Sequence, residues 1–497
     1  MVNQETGRTD VSRKVSRRRF LGATGATGVA LGIAGCVGDD GDDGNGGDEI
    51  DPEADIEEDV TIELTMDGDF ADVQGAIREA LSNAGLDENI TVDILPGDFE
   101  TGARRSDFTA ALDANRSSPD IFMMDSGWTI PFIVREQVLN LEEALTSDTL
   151  DYVTSDYLPA TINTASHPET GNLYGLPLFP DYPVMQYRRD LVEEAGYNPG
   201  ENNWATEPIS WQEFAGIVAD VWEYHGQDAY NYGFTTQGDN YEGTSCCTFN
   251  EMMTSFGGAY FGDHENLFGP VGERPITVDD EAVVETIQVM RSFMYGPDAD
   301  DAHPDYPQIS TSDLVEFTEE PSREPFTAGN AIFHRNWPYS VRINDEEYGD
   351  DFDIMPMPYG VEEGAGNFGG TGGTNSALGG WHLTVNPNSD NPSAAVQVLE
   401  AFANESVMNT LFREGGWLPP DPSVIEAADE SVAGSMAQYL DTMAVAGENT
   451  VPRPVTVVWP DQSPLISGEI HAAYTGDKTA ASAMSDLVGQ LEDAEQV

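Results

Sequence analysis

Two short acidic runs are where chemistry is easiest to place. "MDGD", from Met66 to Asp69, and "DSGW", from Asp125 to Trp128, each follow an apolar stretch and open into a loop. Carboxylates in such loops accept hydrogen bonds from hydroxyls or hold cations, and a ring beside them offers an apolar face. Asp67, Asp69, Asp125 and Trp128 are therefore candidate ligand-binding residues. The plainer reading of Asp67 and Asp69 is as solvated loop acids. Paired acids can also hydrolyse glycosides, but among this many carboxylates some lie close together by chance. Other reaction types lack a carrier. The chain has no HExxH pair, Walker loop or nucleophile elbow, and its 7 histidines are scattered without ligand spacing. "GNFGGTGGTNSALGG" is glycine-rich but lacks the lysine and following helix of a phosphate loop, so it reads as a flexible link. No catalytic residue, metal or cofactor is expected.

The elements around those runs alternate in type. "DVTIELTMDGDF" has strand periodicity, "ADVQGAIREALSNAG" reads as a helix with Gly85 just past its end, and "NITVDILPG" is a second strand. "RRSDFTAALDANRSS" is a second helix, and "PDIFMMDSG" a continuously apolar third strand. Alternation of this kind implies a mostly parallel sheet flanked by helices, with ligands at the carboxyl ends of the strands. "MDGD" and "DSGW" occupy those ends.

The N-terminus sets the location. Arg17, Arg18 and Arg19 precede an uncharged run from Phe20 to Gly35 that is too short and too rich in Gly and Ala to span a bilayer. "SRRRFLG" resembles a twin-arginine export signal. Ile33-Ala34-Gly35-Cys36 resembles the lipobox of bacterial and archaeal lipoproteins, which implies cleavage before Cys36 and lipid on its sulfur. Residues 1–35 are thus expected as a leader, and 36–58, rich in Gly and Asp, as a flexible tether. The protein would sit on the outer face of the cell membrane, lipid-anchored.

With 89 acidic against 21 basic residues the net charge is -68, and lysine occurs only at Lys14 and Lys478. The acid is dispersed rather than gathered in one tail. Self-repulsion on this scale opposes a compact state at ordinary ionic strength, whereas in molar salt the Debye length falls to about 3 Å. A halophilic archaeal source is the expected setting. Nucleic acid is excluded as a partner, since no basic patch is present to meet phosphates. About 460 residues follow the leader, more than one core usually holds, so two lobes are expected. Cys246 and Cys247 are adjacent and form no disulfide framework. They are expected as two buried free thiols rather than a vicinal disulfide.

"GNLYGLPLFPDYPVMQYRRDLVEEAGYNP" and "SWQEF" are followed in order by "FTAGNAIFHRNWPYS", "LGGWHLTVNPNSDNPSAAVQVLEAFAN", "GGWLPP" and "VPRPVTVVWPDQSPLISGEIHAAYTGD". From about residue 60 to the end the chain resembles the family 1 extracellular solute-binding proteins, the receptors of sugar-importing ABC transporters. The resemblance implies a two-lobed α/β fold of the periplasmic-binding-protein type, each lobe a mixed sheet flanked by helices, with ligand in the cleft between. It implies lobe 1 over 60–178 and 380–450 and lobe 2 over 183–378 and 451–497. By alignment of motifs it places Asp181 in a crossover beside Tyr182. It also puts Asp239 and Tyr241 in a ligand loop, Trp337 at the end of a cleft-facing strand, Trp381 at the second crossover, and Arg453 and Trp459 in a segment that offers a donor and a ring. Trp204, Trp211 and Trp222 sit on or beside a helix and read as structural. The implied function is a monomeric receptor that passes a sugar or short oligosaccharide to ABC permease subunits. The alternatives are the same fold serving a polyamine or a glycerol-phosphate and, more distantly, a secreted glycoside-acting enzyme.

Overall fold

A computed structural model describes residues 50–98 and 100–496. The leader, Cys36 and residues 36–49 of the expected tether lie outside the described residues. Residues 50–58, expected as the last of the tether, are docked instead. Ile50 and Ile56 pack against a hydrophobic core, the Asp51 N–H donates to Ser393 Oγ at 3.1 Å, and Gln397 donates to the Ala54 carbonyl at 2.8 Å. Two apolar side chains in an otherwise acidic stretch supply the anchor.

Among the described residues ten strands form two sheets. They are β1 (Val60–Met66), β2 (Ile90–Pro96), β3 (Ile121–Asp125), β4 (Leu176–Asp181), β5 (Val184–Arg188), β6 (Tyr232–Thr235), β7 (Ala331–Asn336), β8 (Phe352–Met355), β9 (Ser376–Val385) and β10 (Thr450–Pro452). The first sheet runs β10-β9-β3-β1-β2, with β4 also paired to β9; the second runs β6-β7-β5-β8. β1 buries every second residue, as a strand covered mainly on one face does, whereas β3 is buried throughout.

The parallel pairing expected from the sequence holds for β1 with β2 and β3, and β9–β10 and β6–β7 are parallel as well, but both sheets are mixed. β9 is antiparallel to both β3 and β4, and β5 is antiparallel to β7 and β8. β9 joins the first sheet after a long excursion through the second, so no single crossover helix constrains its direction. The chain passes from first sheet to second across Tyr182 and Pro183, between β4 and β5. It returns along β9, whose start pairs with β10 and whose remainder pairs with β3 and β4.

Each sheet has its own core. Ile62, Leu64, Ile94, Val398 and Leu411 fill the first. Phe214, Phe234, Phe333, Ile466 and Leu487 fill the second. Helix Trp211–His225 shows how local signals build the second core. Ser210 accepts the Glu213 N–H at 3.1 Å as N-cap, Phe214, Val218 and Val221 recur on the buried face, and Gly226 at φ +92° ends the helix. A third cluster knits helix Leu440–Glu448 to the second sheet through Met443, Ala446 and Phe352. Among the described residues no helix is long and apolar enough to cross a membrane.

Candidate functional site

The carboxyl ends of β1, β3 and β4 meet residues of the second sheet across a cleft. The open volume between them is about 100 Å³, well under the roughly 300–1,000 Å³ of an ordinary ligand pocket. Side chains of the two halves approach closely here, with Arg453 standing 2.8 Å from Asp125 and 3.6 Å from Glu242.

On the first-sheet side, Asp67 follows β1 and pairs with Arg104 of helix Thr101–Asp113. Arg104 is buried. Its guanidinium also donates to the Asp98 carbonyl at 3.0 and 2.7 Å and lies 4.5 Å over the ring of Trp381. Burial lowers its pKa to about 10, with the charge of Asp125 opposing the fall. Asp125, at the end of β3, accepts the Gly127 N–H at 2.7 Å and Arg453 Nη1 at 2.8 Å. Arg453 also stands 3.6 Å from Glu242, which belongs to the loop after β6. Gly127 is required for this approach, because a Cβ there would fall 2.3 Å from Arg453 Nη1.

On the second-sheet side, Trp337 leaves β7 and caps helix Pro338–Tyr348. Arg335 lies 4.7 Å over its ring and is held by Glu251 at 2.6 and 2.7 Å. The same Glu251 carboxylate accepts the Ala377 N–H of β9 at 3.0 Å, tying ring, sheet and crossover together. Tyr241 donates its hydroxyl to Glu319 at 2.8 Å. Each half thus presents a tryptophan with a guanidinium on one face, an arrangement worth about 0.5–2 kcal/mol per pair.

Asp67, Asp69, Asp125 and Asp181 line the cleft, as do Tyr241, Trp337, Trp381 and Arg453. Three of the other expected site residues do not. Trp128 is fully buried, edge-on to Phe108 and Phe132, and its indole N–H donates to Thr101 at 2.8 Å. The polar loop marks where the backbone turns, while the ring folds back into the core and steadies Thr101, which does line the cleft. Asp239 shapes its own loop: its carboxylate accepts the Asn240 N–H at 2.6 Å and its carbonyl accepts the Thr244 hydroxyl at 2.7 Å. Trp459 is wholly buried beside Tyr260 at the start of helix Trp459–Thr475. Trp204, Trp211 and Trp222 are core residues, as read from the sequence.

The cleft also contains residues the sequence reading passed over. Trp417 stacks on Phe70 with centroids 3.6 Å apart, and its "GGW" run repeats the one that carries Trp381. Glu319, Tyr339 and Glu100 join the lining. The expectation of free thiols is also corrected: Cys246 and Cys247 are joined by a disulfide, and both line the cleft. Adjacency rules out a framework of separate bridges but leaves a bridge within the pair open, and here the pair forms it.

Withdrawal from water pushes the Asp181 carboxyl up to about 8, with Asp125 and Glu319 adding to the rise and Arg335 and Arg453 opposing it. Glu242 is raised by burial and then by Asp125. Asp69 is raised by burial and by Glu320. A carboxyl raised in the folded state holds a proton that the unfolded chain has released, so its contribution is full in acid and is lost as pH climbs. For Asp181 the window runs from its ordinary value near 3.8 to about 8. At constant molar salt, the unfolding temperature of the ligand-free protein should fall by about 2 °C or more between pH 6 and pH 9. Asp181→Asn should flatten that slope; an unchanged slope would show that Asp181 ionises freely.

A model of the bacterial extracellular solute-binding protein family matches residues 68–409, more than half of the chain. The chain belongs to that family. As an extracellular solute-binding protein it is 25% identical over 407 residues to the "Probable ABC transporter-binding protein" of Deinococcus radiodurans, covering 81% of this chain and 86% of the relative. Its fold is that of the two-lobed binding proteins. The maltose-bound MalE3 of T. maritima superposes with a TM-score of 0.71 at 23% identity, covering 87% of this chain and 99% of that one. UgpB of Mycobacterium tuberculosis, solved with glycerophosphocholine, superposes with a TM-score of 0.65 at 17% identity, over 88% and 98%.

Proposed function

We propose that this solute-binding protein is the receptor of an ABC importer and takes a sugar or short oligosaccharide between its lobes. The supporting observation is the pairing of Trp337 and Trp381 across a cleft ringed with carboxylates. A sugar presents a C–H face that packs on rings and hydroxyls that donate to carboxylates. Ligand contacts to both lobes favour the closed state, so binding and closure are one equilibrium, and the closed form is what a permease would recognise. The chain is read as a binder that releases its solute unchanged, with lobe 1 over 60–178 and 380–450 and lobe 2 over 183–378 and 451–497.

A second reading follows from the acid excess. Asp69, Asp181 and Glu319 line the cleft with no guanidinium in ion-pair contact among the described residues, and carboxylates beside aromatic rings suit a cationic solute such as a polyamine or a choline head. A phosphate group fits less well, because Arg104 and Arg453 are already committed to Asp67 and Asp125. Calorimetry in molar KCl with maltose, maltotriose, trehalose, spermidine and glycerophosphocholine separates these readings. Binding of a sugar supports the first. A response to spermidine or glycerophosphocholine without any sugar would replace it with the second.

Anchoring and export belong to the same proposal: twin-arginine export, cleavage before Cys36, lipid on its sulfur, and retention at the outer membrane face of a halophilic archaeon. Cys36→Ser should release the protein into the medium or leave the precursor uncut. Mass spectrometry of the mature N-terminus checks this, and an unmodified start elsewhere would contradict it.

A further inference from the structure

The bridged pair Cys246–Cys247 lies in a π-helical turn, Thr244–Thr248, that leads directly into helix Phe249–Ser255. Both residues line the cleft, although only 4% and 2% of their surfaces are exposed. Their surroundings hold them still. Ser245 hydrogen-bonds Ser463 at 2.6 Å, Tyr241 before the turn is tied to Glu319, and Glu251 in the helix beyond it fastens Arg335 and β9.

A bridge between neighbouring residues closes the shortest loop a chain can make. The stabilisation a disulfide gives through chain entropy grows with loop length, so this one adds almost nothing to global stability. Its local effect is larger. The bond locks both side chains into one small ring through the peptide unit, and two thiols that could donate and rotate become a fixed ledge with no donor. The extracellular setting of the family is the compartment in which such a bond persists.

We propose that the Cys246–Cys247 disulfide is a ligand-contact surface of the cleft, an apolar ledge for a part of the sugar's C–H surface that Trp337 and Trp381 leave uncovered. The inference rests on the sugar reading above. Reduction returns two thiols, with a phosphine supplying the electron pair and leaving as its oxide while water supplies the protons and oxygen. The ledge then becomes two mobile, weakly polar groups.

The test uses the full mature chain, purified without reductant and kept in molar KCl. Alkylation under denaturing conditions should leave Cys246 and Cys247 unmodified until phosphine is added, as read by mass. Maltose, maltotriose and trehalose are then titrated before and after reduction. The sugar that binds should lose ~10-fold in affinity while the unfolding temperature stays nearly constant. The Cys246→Ala, Cys247→Ala double variant should bind as the reduced protein does and ignore phosphine; if it fails to fold, the wild-type arm alone decides. Alkylation of both cysteines before reduction overturns the inference. Equal sugar affinity in the two redox states also overturns it, including where the melting temperature drops and reveals a structural staple. An oxidised protein that binds none of the sugars instead overturns the sugar reading, and the ledge with it.

Discussion

Trp381→Ala and Trp337→Ala should each weaken sugar binding by about 1–3 kcal/mol, roughly 5- to 150-fold in Kd. Each ring is half of a stacked pair with an arginine, Arg104 at 4.5 Å over Trp381 and Arg335 at 4.7 Å over Trp337. The cation occupies one face and fixes the ring's plane, so a single face remains for a ligand. Truncation removes that face and also frees the guanidinium to move. The arginines keep other partners, Asp98 for Arg104 and Glu251 for Arg335, so both variants should fold. Calorimetry in molar KCl gives the affinity and a melting curve checks the fold. Unchanged affinity in both variants would place the ligand elsewhere.

Dialysis from molar KCl to millimolar salt should unfold the protein cooperatively, the largest change expected of it. The charge of -68 is spread along the whole chain, and repulsion between exposed carboxylates reaches further as the Debye length grows from about 3 Å at 1 M to about 30 Å at 0.01 M. Buried contact pairs such as Arg335–Glu251 and Arg274–Glu495, both at 2.6 Å, are screened little at any salt and cannot offset that rise. Circular dichroism during stepwise dilution reads the transition. A constant melting temperature across the range would remove the halophilic reading and leave the receptor reading intact.

The first three strands were legible because periodicity and turn residues agree there, and their adjacency brings Asp67, Asp69 and Asp125 to one end of the sheet. Trp337 and Trp381 were reached through ordered motifs shared with a family. Periodicity alone says nothing about a ring that follows a turn. The same limit explains Trp128: a loop position fixes where the backbone reverses, while the direction of the indole depends on Phe108 and Phe132, residues on other segments. Asp239 and Glu242 show it for charge. Both lie in one acidic loop, and only the tertiary approach of Arg453 decides that Glu242 is the one that meets a cation. Trp417 carries the same "GGW" run as Trp381, and only its stacking on Phe70 in the fold places it at the cleft. For the adjacent cysteines, composition could not decide between thiol and bridge.

Arg453 touches Asp125 at the tip of one sheet and Glu242 beside the other, at 2.8 and 3.6 Å. This guanidinium makes part of the bridge between halves that an occupant would otherwise have to make. A solute-binding protein with such an internal clasp would be biased away from a wide-open rest state. If the clasp holds in solution, a share of the empty molecules would adopt the shut shape, and the work left for the solute would be only the difference between that shape with and without it. The empty and loaded forms would then compete for the same docking face on the permease, and the strength of one arginine's grip would set how much idle traffic the importer sees.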